Sequence, residues 1–313
     1  ARSPQMTIAW LANTGLAGIP LFAKCFARYE TGGPYLALRI LEERLSGTGA
    51  ATVYGHLLGG PHKAVAEKWL RSHPEDLAGT DLPKKLTAAL VGALRGTDRA
   101  TLEHLREAAT GGAQAAAVQL LEELDIPVFD PATPWWAKAK EQADWRKFRD
   151  RWPKYVTIHS FPPFTWDGVR LAEPEMQTFL DVFLTGKGGS GLIAAVRENV
   201  PAATRDEFAV TLLNLWINHG CSGNDIWVMR AAATVGHDAF VSRLAPLIRK
   251  WPGSGGIQRA KAGLNALEAC GSSLALQEIA GMATSSKYPG LKKAARATLE
   301  AIAARRGYTR EQL

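Results

Sequence analysis

Displaced by 35 residues, the apolar positions of residues 226–307 fall on one another. Val241, Leu244 and Leu247 coincide with Leu276, Ile279 and Met282, Leu264 and Leu267 with Leu299 and Ile302, and Gly236 with Gly271. The turn Trp251-Pro252-Gly253 returns two residues late as Tyr288-Pro289-Gly290, as a small loop insertion would produce. Within each unit the apolar residues recur at intervals of three and four, which places them on one helix face. A fixed period in the thirties with two helical segments per unit predicts stacked helix pairs, each burying its apolar face against its neighbours.

The helical pattern extends upstream in a less regular form. Over 35–45, Leu38, Leu41 and Leu45 share a face between Gly32-Gly33-Pro34 and a stop at Ser46-Gly47, and shorter apolar segments cover 8–16 and 21–29. Residues 62–72 bring Val65, Trp69 and Leu70 together before Pro74. Residues 82–94 carry Leu86, Leu90 and Leu94, with Pro83 in the first turn where its missing N–H costs nothing. Thr97-Asp98 opens a helix running to Ala109, and 113–124 closes this series. After Glu175, helices are predicted over 176–184, 192–200 and 206–218, the last with Phe208, Leu212, Leu215 and Trp216 as an apolar stripe.

Between these series, 127–174 breaks the period. Trp135, Trp136, Trp145, Phe148, Trp152, Tyr155, Phe161, Phe164 and Trp166 crowd into it with seven prolines. Residues 137–151 suit a charged helix; Val156, Thr157 and Ile158 within 155–159, then Asp167-Gly168 before 169–171, leave room for a small β-hairpin. Its aromatics either form a binding platform or fasten an irregular segment to the helices, and the second use is the commoner one. The expected fold is therefore all-α: a HEAT-like, right-handed solenoid of short antiparallel helix pairs with an aromatic, Pro-rich, non-repeat insert. The expected division is 1–126 (irregular helical repeats), 127–174 (insert) and 175–313 (regular repeats, clearest over 226–307).

Composition narrows the class. A hydrophobic content of 46% with 21% charged residues belongs to an ordered chain, and no apolar run reaches the roughly 20 residues that span a bilayer. Three widely spaced cysteines, Cys25, Cys221 and Cys270, argue against a disulfide framework and fit a reducing cytoplasm. The first residue is Ala1 and the polar tail stops without a clear cap, so a piece of a longer protein is expected. Charge is lopsided: residues 226–313 hold 13 Lys+Arg against 5 Asp+Glu, the remainder 24 against 25, so the net +7 belongs to the repeat. Such asymmetry speaks about partners and not about fold.

Several stretches resemble a region of bacterial multidomain proteins described as molybdate metabolism regulators. They are Glu207-Phe208-Ala209 with Leu215-Trp216, the run from Leu244 through Arg249-Lys250-Trp251-Pro252-Gly253, the helix 260–271, the tail from Leu291 to Leu313, and the earlier Ala66-Glu67-Lys68-Trp69-Leu70-Arg71-Ser72-His73-Pro74-Glu75. The likeness lies mainly over 192–313. It implies a HEAT-like solenoid within a longer chain that sometimes carries a WGR domain, a module associated with nucleic acids. It supplies no catalytic residues, and molybdate binding is not visible in these residues.

The candidate binding surface is the set Arg230, Arg243, Arg249, Lys250, Arg259, Lys261, Lys287, Lys292, Lys293, Arg296, Arg305 and Arg306, which recurs near helix ends. Trp251 and Tyr288 follow cations and are candidate aromatic contacts, a pairing that suits phosphate contact with base stacking. The plainer alternative is a solvated face whose cations complement helix dipoles in last turns. Lys187 within 186–191 stands in the wrong place for a phosphate loop, which needs Gly-x-x-x-x-Gly-Lys after a strand. The histidines, including His219 two residues from Cys221, lack metal-ligand spacing. A DNA-glycosylase-like enzyme would draw on Trp216, Trp227 and Trp251 with Asp225 or Asp238, though no spacing singles them out. The expectation is a non-enzymatic scaffold, without cofactor or metal, contacting a protein or a flanking domain. The alternative is a nucleic-acid-binding module, for DNA or RNA.

Overall fold

Gly47–Leu57 (α1), Lys63–Ser72 (α2), Thr87–Leu94 (α3), Arg99–Ala108 (α4) and Gly111–Asp125 (α5) form the first helical series in the computed structural model. The structure describes residues 9, 13–18, 47–60, 62–142, 152–153, 155–184 and 191–307. Residues 8 and 10–12 of the segment 8–16, the segments predicted over 21–29 and 35–45, residues 185–190 of the glycine-rich break and the tail from 308 lie outside them. Helix predominates throughout the described residues, so the fold is all-α. The chain divides into two compact units, Ala1–Ile126 and Pro127–Leu313.

In the first unit α1 packs on α2, α2 on α3, and both α3 and α4 on α5. Tyr54, Leu70, Leu77, Leu82, Leu90 and Leu105 fill its core. Asp98 caps α4 by accepting the Thr101 backbone N–H at 2.9 Å, as the Thr-Asp pair predicts. The two-residue strand β1 (Asp81–Leu82) bridges to Thr110 and Gly111 at the start of α5. A Cβ at Gly111, whose φ is 62°, would lie 2.2 Å from the Leu82 carbonyl oxygen, so this junction requires glycine. Gly47, read as part of the stop after 35–45, begins α1, whose Gly-Thr-Gly start masks a helix buried on several sides. One prediction is corrected here: the segment 82–94 is a short 3₁₀ turn at Lys84–Leu86 that leads into α3, not one continuous helix.

The second unit begins with the aromatic segment. Pro134–Gln142 forms α6, beginning three residues before the helix predicted over 137–151, whose residues past 142 lie outside the described set. The hairpin exists, but its strands are Thr165–Trp166 (β2) and Val169–Arg170 (β3) around Asp167-Gly168. The β-type residues at 155–159 instead lead into a 3₁₀ turn at Ile158–Ser160, where Thr157 and Ser160 close a capping box. Among the described aromatics Trp136, Phe161, Phe164 and Trp166 are buried in the core, and Trp135, Trp152 and Tyr155 are half-buried against it. Phe161 stacks on Phe208 at 5.2 Å and Phe164 on Phe179 at 4.8 Å, while Trp136 is fully buried. The Trp152 indole N–H donates to the buried Asp181 at 2.9 Å and Lys140 pairs with Glu175 at 3.1 Å. A segment with few backbone bonds is thus held by large rings.

Helices Glu173–Phe183 (α7), Gly191–Asn199 (α8), Ala202–Asn218 (α9), Trp227–Ala233 (α10), Asp238–Lys250 (α11), Ile257–Cys270 (α12), Ser273–Ser285 (α13) and Pro289–Arg306 (α14) complete the unit. From α9 onward the packing is periodic. Helices α9, α11 and α13 pack in sequence, as do α10, α12 and α14, and α9 packs on α10, α11 on α12, and α13 on α14. Helices α11 and α13 begin and end 35 residues apart, which is the displacement read from the sequence. Leu244, Ile279, Leu264 and Ile302 are buried at the matched positions, whereas Leu247, Leu276 and Leu299 are half-buried. The glycines matched at 236 and 271 serve different ends. Gly271 closes α12 in the left-handed conformation (φ 68°), as Gly307 closes α14 (φ 67°). A Cβ at Gly236 would instead meet the Phe240 side chain at 2.8 Å.

Candidate partner surface along one edge of the repeats

Three turns, α9–α10, α11–α12 and α13–α14, lie against one another. The Trp216 ring, near the end of α9, meets Trp251 edge-on at 6.0 Å. The Arg259 guanidinium stands 5.8 Å from the Trp216 ring centre and 5.7 Å from that of Trp251. A Cβ placed on Gly253 would lie 2.4 Å from the Tyr288 hydroxyl, and one on Gly290 would meet Ile257 at 3.5 Å. Antiparallel helix pairs joined by short turns necessarily collect alternate turns at one end, and these contacts are the result.

The opposite turns are closed by side chains. The Asp206 carboxylate accepts the backbone N–H groups of His237 (2.7 Å), Ala239 (2.6 Å) and Phe240 (2.9 Å), capping α11 from the preceding repeat. Arg205 donates to the carbonyls of Val200 and Val235, at 2.8 and 3.1 Å. Burial, then the nearby Arg197 charge, lower the pKa of Arg205. The Cys270 thiol donates to the Gly236 carbonyl at 3.2 Å, and its pKa is raised by burial first.

The first edge carries the charge. Residues 249–261 contain Arg249, Lys250, Arg259 and Lys261 and no acid; displaced by one repeat, 284–296 contain Lys287, Lys292, Lys293 and Arg296, again with no acid. Eight of the twelve predicted cations therefore sit here. Arg230 lies within α10, Arg243 bonds Asn214 midway along α11 (2.8 Å), and Arg305 pairs with Glu268 near the other end of α14. The side chain of Arg306 is outside the described set.

Not all eight are available. Arg249 pairs with Glu278, the Arg296 Nε donates to the Ala283 carbonyl at 3.2 Å at the end of α13, and Arg259 is occupied with the Trp rings. Arg249 and Lys250 lie in the last turn of α11 and the Arg296 side chain reaches the end of α13, where the plainer dipole explanation suffices. Arg259, Lys261, Lys292 and Lys293 do not fit it. They stand near the N-termini of α12 and α14, where the dipole disfavours cations and no acidic residue or side-chain cap offsets it. Among the described residues the side chains of Lys250, Lys261, Lys292 and Lys293 have no hydrogen-bond or ion-pair partner, and Lys250, Lys261 and Lys293 are exposed.

The predicted aromatic contacts are corrected. Trp251 is buried at 6% exposure, and Tyr288 is half-buried with the Lys287 ammonium 5.2 Å from its ring centre. Neither is an exposed side chain. Of the glycosylase-like set, Trp216 is fully buried against the buried Trp251, Trp227 is half-buried at the head of α10, and Asp238 lies at the other edge beside His237. Asp225 faces Tyr155, whose hydroxyl is held protonated to well above its usual range by burial first and by that carboxylate second. Tyr155 also stacks on His219 at 4.3 Å, which ties the aromatic segment to the α9–α10 turn. Cys221 in that turn adopts φ 55°, and its thiol pKa is raised by burial against the opposing Arg259 charge. Sequence reasoning missed Asp206, which read as an ordinary helix residue because its partners lie one repeat away. Among the described residues no three His, Cys, Asp or Glu side chains gather as a metal site requires, and no helix is long and apolar enough to cross a membrane.

Compared with family models, with curated proteins and with solved structures, the chain matches none, so the role of this edge is argued from its chemistry.

Proposed function

We propose that the second unit is a HEAT-like solenoid acting as a non-enzymatic scaffold, which holds an acidic partner against the edge formed by its stacked basic turns. The carrying observation is the pair of windows, 249–261 and 284–296, that place cations and no acid one repeat apart. Packing of each helix on its neighbour and on its next-but-one neighbour supports the repeat reading, since such arrays present equivalent positions side by side. Following the resemblance, the setting is a larger cytoplasmic bacterial regulator, within which the basic edge selects its partner by negative charge.

Matched charge reversals test the surface. Lys292→Glu with Lys293→Glu on the edge is compared with Lys84→Glu with Lys85→Glu, which are exposed in the first unit. The expected result is that the edge variant leaves immobilised heparin at clearly lower salt, while the control elutes close to the parent protein. Equal displacement of the two variants overturns the edge as the contact surface, because net charge alone would then explain retention.

A further inference from the structure

We propose that the partner for which this edge is built is the phosphodiester backbone of a double-stranded nucleic acid, bound without reading base or sugar. This rests on the stacked-turn edge being the contact surface. The side chains it leaves free decide the class of ligand. Protein interfaces are depleted in lysine at their centres and anchored by exposed Trp, Tyr and Arg. Here Trp251 is buried, Tyr288 is half-covered by Lys287, and Arg249 and Arg296 are bonded within the chain. What remains are the ammonium groups of Lys250, Lys261, Lys292 and Lys293, point charges suited to phosphate oxygens and unable to read base edges by a fixed fork.

The arrangement also distinguishes a duplex from a single strand. Single-strand binders lay bases on open aromatic faces; among the described residues no Trp, Tyr or Phe of this edge is exposed, Trp251 being buried and Trp227 and Tyr288 half-buried. Packed helices stand roughly 8–10 Å apart, so the lysines of successive turns form two neighbouring positive rows. A duplex offers one negative charge per about 1.7 Å of its axis and so faces both rows at once. The N-termini of α12 and α14, without acidic first turns, add donor N–H groups along the same edge. Arg259, held over the Trp216 and Trp251 rings, adds a fixed cation on the side of the α9–α10 turn.

The test is anisotropy titration of the full chain with labelled DNA and RNA duplexes of unrelated sequences, the matching single strands, and polyglutamate as competitor, across a salt series. The expected result is binding of DNA and RNA duplexes alike, independent of sequence, with affinity falling steeply as salt rises. Lys292→Ala with Lys293→Ala should flatten the log–log salt slope by about 1.8, the value for two phosphates released. No duplex binding at low salt overturns the inference, as does preference for single strands or equal competition by polyglutamate at matched charge. If heparin retention still depends on the edge while duplexes fail, only this inference falls. If retention does not depend on the edge, the scaffold surface falls with it.

Discussion

Asp206 shows how one side chain fixes the relation between two repeats. It lies near the start of α9, is 5% exposed, and accepts three backbone N–H groups at the head of α11. Those donors belong to the first turn and have no partner within their own helix. Asp206→Ala leaves them unpaired, and an expected loss of about 1–3 kcal/mol in urea unfolding follows from leaving buried donors unsatisfied. Asp206→Asn keeps an acceptor and should lose distinctly less. Tyr155 makes a second residue-level prediction. Its pKa is raised in the folded chain, by burial and then by Asp225, above the ordinary value of 10.0. Above about pH 10 the unfolded chain releases this proton while the folded chain keeps it, so stability must fall as pH rises. Tyr155→Phe should show a shallower alkaline fall in unfolding free energy, and an unchanged slope would remove Tyr155 from the account.

At the scale of elements, close helix packing decides more than propensity. A Cβ at Gly263 in α12 would lie 2.5 Å from Ile248 Cγ1 and 2.9 Å from its Cδ1 on α11. Alanine gains up to about 1 kcal/mol of helix propensity, whereas overpacking typically costs about 1–3 kcal/mol. Gly263→Ala is therefore expected to lower the melting temperature, and a rise would show that the pair simply moves apart. This contact also explains which parts of the fold were legible from sequence. The period of 35 could be read because α11 and α13 repeat an apolar face, and faces are written in spacing. The first hairpin strand, Thr165–Trp166, and α1 could not; α1 buries Ala50, Ala51, Val53, Tyr54 and Leu57 around much of its circumference and so lacks a clear period. The basic residues were legible by type, but their sorting into free and engaged was not. Glu278, Ala283 and Trp216, which occupy Arg249, Arg296 and Arg259, are brought to them only by stacking.

For the molecule as a whole, the two compact units carry separate cores, and the division at Ile126 and Pro127 follows the end of α5. The core of the second unit is closed by its own aromatics: Phe129 and Trp136 reach Phe164 and Trp166, which in turn join Phe179 and Phe208. Starting the chain at Glu175 would strip Phe161 and Phe164 from Phe208 and open a large apolar surface, at a cost of about 3–5 kcal/mol for each ring lost. The expected outcome is that residues 127–313 unfold cooperatively by circular dichroism, whereas 175–313 binds the dye ANS and melts broadly. If 175–313 alone unfolds as sharply, the aromatic segment is dispensable to the repeats, and the fastening role of Phe161, Phe164 and Trp152 is wrong. Should 127–313 fold and also reproduce the heparin retention of the full chain, the charge, the turns and their support reside in one autonomous unit, as the confinement of the excess cations to the repeats requires.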